Sequence, residues 1–128
     1  MTIHWVLFLS SVVVLVALLI ADVITGLRGA RKAHLILVAC TVPMLALAIY
    51  EADSVGRFYT FGRTILTIHL TLAKTATLAV LPVAASGLWV LRTGRCRRVH
   101  FWIVMGFLAF AAAASVTGVL LFTDATPK

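Results

Sequence analysis

The chain has 128 residues, 62% hydrophobic and 12% charged, with a mean hydropathy of +1.12. Soluble domains are about one-quarter charged and less than half apolar, so this composition excludes an ordinary water-soluble globule and indicates a membrane protein. One domain is expected, and four spans of roughly 20 residues with short loops would fill it, leaving nothing for a soluble catalytic domain.

Four apolar runs follow in order, at about residues 3–26, 34–50, 63–91 and 99–122. Short breaks that mix glycine with charge separate them: Gly26-Leu27-Arg28-Gly29-Ala30-Arg31-Lys32, Glu51-Ala52-Asp53-Ser54-Val55-Gly56-Arg57 and Arg92-Thr93-Gly94-Arg95-Cys96-Arg97-Arg98. Such segments suit turns outside the hydrocarbon. Unpaired backbone groups cost several kcal/mol in lipid, so each run is predicted to be an α-helix, and short connections make neighbours antiparallel. The expected fold is all-α: an up-down four-helix transmembrane bundle of two tandem hairpins, about 1–62 and 63–128. The first run lacks a basic leader and ends in Arg28, Arg31 and Lys32, so it is expected to be a mature helix and not a cleaved signal.

The net charge of +7 could suggest nucleic acid, but the basic residues sort by membrane side. Arg28, Arg31, Lys32, Arg92, Arg95, Arg97 and Arg98 all fall in the first and third loops. The positive-inside rule makes loops 27–33 and 92–98 cytoplasmic and both termini external, in a plasma or inner membrane. Trp5 at the outer end and Trp89 and Trp102 at the inner end fit aromatic belts. No nucleic-acid partner is expected. Cys40, in an apolar run, and Cys96, in a basic loop, form neither a disulfide framework nor a metal knuckle.

Each run carries one of the four histidines: His4, His34, His69 and His100. Intramembrane ionisable residues are rare and usually functional. Ile3-His4 recurs as Ile68-His69, 65 positions on, and Ala33-His34 recurs as Val99-His100, 66 positions on. The chain therefore reads as a tandem repeat of one helical hairpin. In an up-down square bundle, His4 and His69 would face each other diagonally near the outer surface, and His34 and His100 near the inner surface.

Structural zinc wants four protein ligands and catalytic zinc three, and neither pair has a cysteine or carboxylate close in sequence. A haem brings four equatorial nitrogens and asks for one or two axial ligands, which opposed imidazoles supply. Two pairs imply two haems. A residue 18 positions along a helix returns to the same face about 27 Å further on. His69 thereby leads to Gly87 and His100 to Gly118, where a missing side chain would make room for a porphyrin edge; the matching position after His4 is Asp22.

One histidine per helix, paired diagonally at the two surfaces, resembles the di-haem transmembrane cytochromes b, in particular cytochrome b561-like four-helix cores. The Ile3-His4-Trp5 opening is similar to the His-Trp start of bacterial members, while one ligand per helix is more like the eukaryotic cores. The resemblance implies bis-histidine haem b and electron transfer across the membrane. With both axial positions filled, iron has no open site for oxygen, so one-electron transfer is the expected chemistry. Arg28, Arg31, Lys32, Arg97 and Arg98 could pair with propionates of an inner haem and Arg63 with those of an outer one.

On the third helix Thr60, Thr64, Thr67, Thr71 and Thr75 lie within about 60° of the face opposite His69, and Lys74 falls beside them. Threonines can bond the carbonyl a turn earlier, but a lipid-facing lysine costs a few kcal/mol unless it snorkels. A quinone headgroup, another redox subunit or a second copy of the chain is the expected neighbour. The chain is thus expected to be an electron-transfer subunit of an oxidoreductase. The competing readings are a haem or copper handling assembly factor and a small four-helix transporter coupled through Lys74 and Asp22. The transporter reading lacks inverted repeats, although Pro43 and Pro82 interrupt two spans. The orientation has a direct check: an impermeant thiol reagent added to intact cells should miss Cys96. Rapid labelling without permeabilisation would reverse the topology.

Overall fold

The computed structural model describes residues 2–123 and 125–128. Its elements are α1 (Thr2–Leu27), α2 (Arg31–Gly56), β1 (Tyr59–Thr60), α3 (Arg63–Thr93), α4 (Arg97–Thr123) and β2 (Thr126–Pro127), the two-residue strands pairing with each other. The helices contain 26, 26, 31 and 27 residues. At 1.5 Å per residue they run about 39 to 46 Å, more than the roughly 30 Å of bilayer hydrocarbon. All four are long and apolar enough to cross a membrane, which fits a multi-pass membrane protein of all-α architecture.

The chain divides into two compact units. The first is the antiparallel hairpin of α1 and α2 with β1, joined by Pro127–Lys128 at the far end of the chain. Lys128 N–H donates to the Phe58 carbonyl (3.1 Å). The second is the antiparallel hairpin of α3 and α4. Both hairpins turn through a left-handed glycine, Gly29 at φ +69° and Gly94 at φ +67°. Such a residue lets the chain leave the helix axis at little steric cost; Gly94 N–H also closes α3 by donating to the Val90 carbonyl (2.9 Å).

Small side chains share the helix contacts with the buried Val55 and Leu121. Ala48, Ala76 and Ala114 are buried, whereas Val13, Leu81 and Val119 are among the many large aliphatic residues that face outward. That inversion is what lipid selects, because hydrocarbon tails solvate leucine and valine as well as a protein core does, and small residues let helix backbones approach.

One boundary differs from the sequence reading. The segment from Glu51 to Gly56, expected as a loop, continues α2 as helix. The reason is visible in the packing: Ala48, Glu51 and Val55 are spaced by three and four residues and all are buried, so the inward stripe of α2 persists through the charged stretch. Asp53 points outward and takes Arg57 Nη2 at 2.6 Å one turn on. Thr60, counted above with the threonine face of the third helix, lies instead in β1, before α3 begins.

Candidate functional site

Every histidine is held inside its own hairpin by the helix it packs against. In the second hairpin His69 on α3 reaches α4, where Nδ1 lies 3.1 Å from the Ala114 carbonyl and 3.3 Å from Thr117 Oγ1. Beneath the ring is Gly118, where a Cβ would come 3.2 Å from His69 Cε1. At the other end His100 on α4 reaches back to α3: Nδ1 is 2.8 Å from Ser86 Oγ, and a Cβ on Gly87 would come 3.3 Å from Cε1. The first hairpin repeats the arrangement. His34 on α2 sets Nδ1 3.0 Å from the Asp22 carbonyl and 3.4 Å from Thr25 Oγ1 on α1, with Gly26 below the ring.

These three seats share one construction. A hydroxyl residue precedes the glycine, and at His34 and His69 the carbonyl four residues before the glycine, that of Asp22 or Ala114, completes the cradle. The hydroxyls spend their own hydrogens on the helix. Thr25 donates to the Ala21 and Asp22 carbonyls, Thr117 to those of Ala113 and Ala114, and Ser86 to that of Val83. Each hydroxyl oxygen is left to accept, and a carbonyl only accepts. At His34 and His69, whose Nδ1 also meets a carbonyl, the imidazole must therefore be the donor, through Nδ1–H.

That assignment fixes the tautomer. A neutral imidazole with its proton on Nδ1 carries its lone pair on Nε2, the form in which histidine ligates metals. All hydrogen bonds of His34 and His69 run through Nδ1.

The fourth seat is different. His4, near the start of α1, meets the end of α2, where Nδ1 lies 3.1 Å from Glu51 Oε2. Glu51 is buried, with only 5% of its surface exposed. The acceptor is again on the Nδ1 side, but it is a carboxylate. Trp5, one residue on, donates Nε1–H to Tyr59 Oη (3.0 Å) and fixes the start of α1 against the segment that follows α2.

The remaining residues singled out above fall as follows. Gly87 and Gly118 lie under the imidazoles of His100 and His69, so the space they open is occupied by a ring from the facing helix. Asp22 is buried; its carbonyl holds His34, its Oδ2 accepts the Thr41 hydroxyl (2.6 Å), and its Oδ1 is buried without a partner among the described residues. Arg63 opens α3, Arg97 and Arg98 open α4, and all three are exposed. Thr67, Thr71 and Lys74 are exposed on α3. The hydroxyls of Thr67, Thr71 and Thr75 each bond the carbonyl four residues earlier, forming a ladder along the face that also carries Lys74 and, at its start, Arg63.

The residues that build the seats, Thr25, Gly26, Glu51, Ser86 and Thr117, were not singled out from the sequence. A signal for most of them exists: Thr25-Gly26, Ser86-Gly87 and Thr117-Gly118 are the hydroxyl–glycine dipeptides that fall inside helices. Comparison of the chain with protein-family profiles, curated proteins and solved structures returned no match.

One oriented imidazole per seat is what a cofactor that brings its own equatorial ligands would ask of the chain. Among the described residues no three His, Cys, Asp or Glu side chains gather into a metal cluster. The seat itself can be tested without any cofactor. Gly118→Leu should lower the stability of the protein in detergent by about 1–3 kcal/mol, the usual cost of overpacking, because the added side chain must displace His69. Gly106→Leu on the same helix, where an added Cβ meets nothing within 4 Å, should leave stability unchanged. The measurement is unfolding in mixed micelles, and equal effects at the two glycines would contradict the seat.

Proposed function

We propose that the chain is a b-type di-haem membrane cytochrome that passes electrons across the membrane between quinol or quinone and a redox partner, as a subunit of a larger redox complex or as a homodimer. The observation that carries this reading is the shared direction of the four histidines' bonds: each engages its facing helix through Nδ1, the arrangement that reserves Nε2 for a ligand. Ordinary interfacial histidines, bonded to water or headgroups, have no need of a glycine floor and a preorganised acceptor repeated in both hairpins.

In this reading His4 with His69 would hold one haem and His34 with His100 the other. Haem b, when bound, supplies a one-electron couple between ferric and ferrous iron. The chain's own residues do the rest. Thr25, Ser86 and Thr117, with the carbonyls beside them, orient the imidazoles, and Gly26, Gly87 and Gly118 let those rings sit against the facing helix. Two histidines on one iron deny oxygen a coordination site. Arg63 at one end, and Arg97 and Arg98 at the other, are placed at helix starts where they can meet propionates. Lys74, with the Thr67 and Thr71 face around it, is the group offered to a quinone or a partner subunit, because a lysine left to lipid alone carries a cost of a few kcal/mol unless it reaches the headgroups. The basic first and third turns support a cytoplasmic position for those ends, in a plasma or inner membrane.

Single substitutions of the ligands test the reading and its pairing together. His4→Ala and His69→Ala should each remove the same haem from the optical spectrum, and His34→Ala and His100→Ala should each remove the other. The pairing is wrong if His4→Ala and His69→Ala delete different haems, and ligation is wrong if either leaves both spectra intact.

A further inference from the structure

In three of the four seats the imidazole Nδ1 meets only neutral groups. His34 donates to a carbonyl and a threonine hydroxyl, His69 to the same two kinds of group, and His100 Nδ1 bonds a serine hydroxyl. His4 alone donates to a carboxylate, Glu51. The Glu51 side chain is 7% exposed, and among the described residues His4 is the partner it bonds. The nearest cation in sequence does not reach it: Arg57 is committed to Asp53 through Nε (3.2 Å) and Nη2 (2.6 Å). At the opposite end of the hairpin Asp22 also lies beside a histidine, but its carboxyl turns to Thr41 and only its backbone carbonyl meets His34. The two ends of the first hairpin are therefore electrostatically unlike. They lie 22 residues apart along α1, from His4 to Gly26, or about 33 Å of helical rise.

Resting on the haem reading above, we propose that Glu51 sets the direction of electron flow. Through His4 it holds the iron at that end of the hairpin at a lower reduction potential than the iron at the His34 end, so that electrons enter at the His4 end and leave at the His34 end. The physical chain is short. A carboxylate accepting Nδ1–H draws the proton toward itself and makes Nε2 a stronger donor to the metal. Its negative charge sits in a place water reaches poorly, where charge interactions are little screened. Both effects favour the oxidised iron, which carries one more positive charge than the reduced form, and both lower the potential. Carbonyl and hydroxyl acceptors orient the ring without adding that charge. Electrons then run from the lower-potential centre to the higher one.

The experiment is a spectroelectrochemical titration of the full-length protein purified with its haems, each couple being assigned by its loss in His4→Ala or His34→Ala. Glu51→Gln keeps an oxygen that accepts from Nδ1–H but removes the charge. It should raise the potential of the His4-linked haem so that, at a fixed ambient potential, the ratio of reduced to oxidised iron there increases about tenfold, which is about 59 mV for a one-electron couple. The His34-linked haem should stay where it was. If the Gln variant loses that haem or does not accumulate, Glu51→Ala provides the same reading, because it too leaves the site without the carboxylate. Two bound haems with both potentials unmoved, or a fall at the His4-linked haem, would overturn the proposal. So would loss of that haem in both variants, which would make Glu51 a support for the ring and not the group that sets its potential. A wild-type protein that carries no haem would refute the proposed function itself, an outcome separate from all of these.

Discussion

A histidine ring has two nitrogens and, when neutral, one proton, and where that proton goes decides what the other nitrogen can do. In this protein the facing helix meets Nδ1 in every seat, with a carbonyl, a hydroxyl or a carboxylate. The rest of the structure serves that constraint. A carbonyl inside a helix is already engaged by the helix, so a second donor can reach it only if the two helices approach closely. Small residues at the contact allow this, and the glycine beside each of three rings provides it directly.

The close approach of the two helices within each hairpin also explains the order of residues along them. The hydroxyl next to each glycine bonds a carbonyl of the preceding turn, which both hides its own hydrogen from lipid and aims its oxygen at the incoming imidazole. A hydroxyl and a carbonyl thus act as one acceptor surface. The same device stands in both hairpins, as expected for a repeated unit. Where it is replaced, at His4, the replacement is a buried carboxylate, the most costly acceptor a membrane protein can hold, and one that is kept only with a partner.

Much of this was legible in the sequence. The four apolar runs defined four helices because hydrocarbon leaves the backbone no alternative, and the matched spacing of His4 with His69 and His34 with His100 exposed the repeat. The relation of Gly87 to the level of His100, and of Gly118 to that of His69, followed from helical periodicity alone. What hydropathy missed was polar and local. Glu51 looked like a loop residue because charge usually marks the end of a span, and only the burial of Ala48, Glu51 and Val55 on one face shows the helix continuing. Thr25, Ser86 and Thr117 were passed over because threonine and serine in a membrane helix most often bond their own backbone, which these do while also serving the facing ring.

If these imidazoles ligate haem, the absorption spectrum and the haem-to-protein ratio of the purified chain will show it. Two low-spin b-type haems per chain are expected, stable through purification and unperturbed by oxygen as a ligand. A colourless protein, or haem present at a small and variable fraction of the chain, would contradict it.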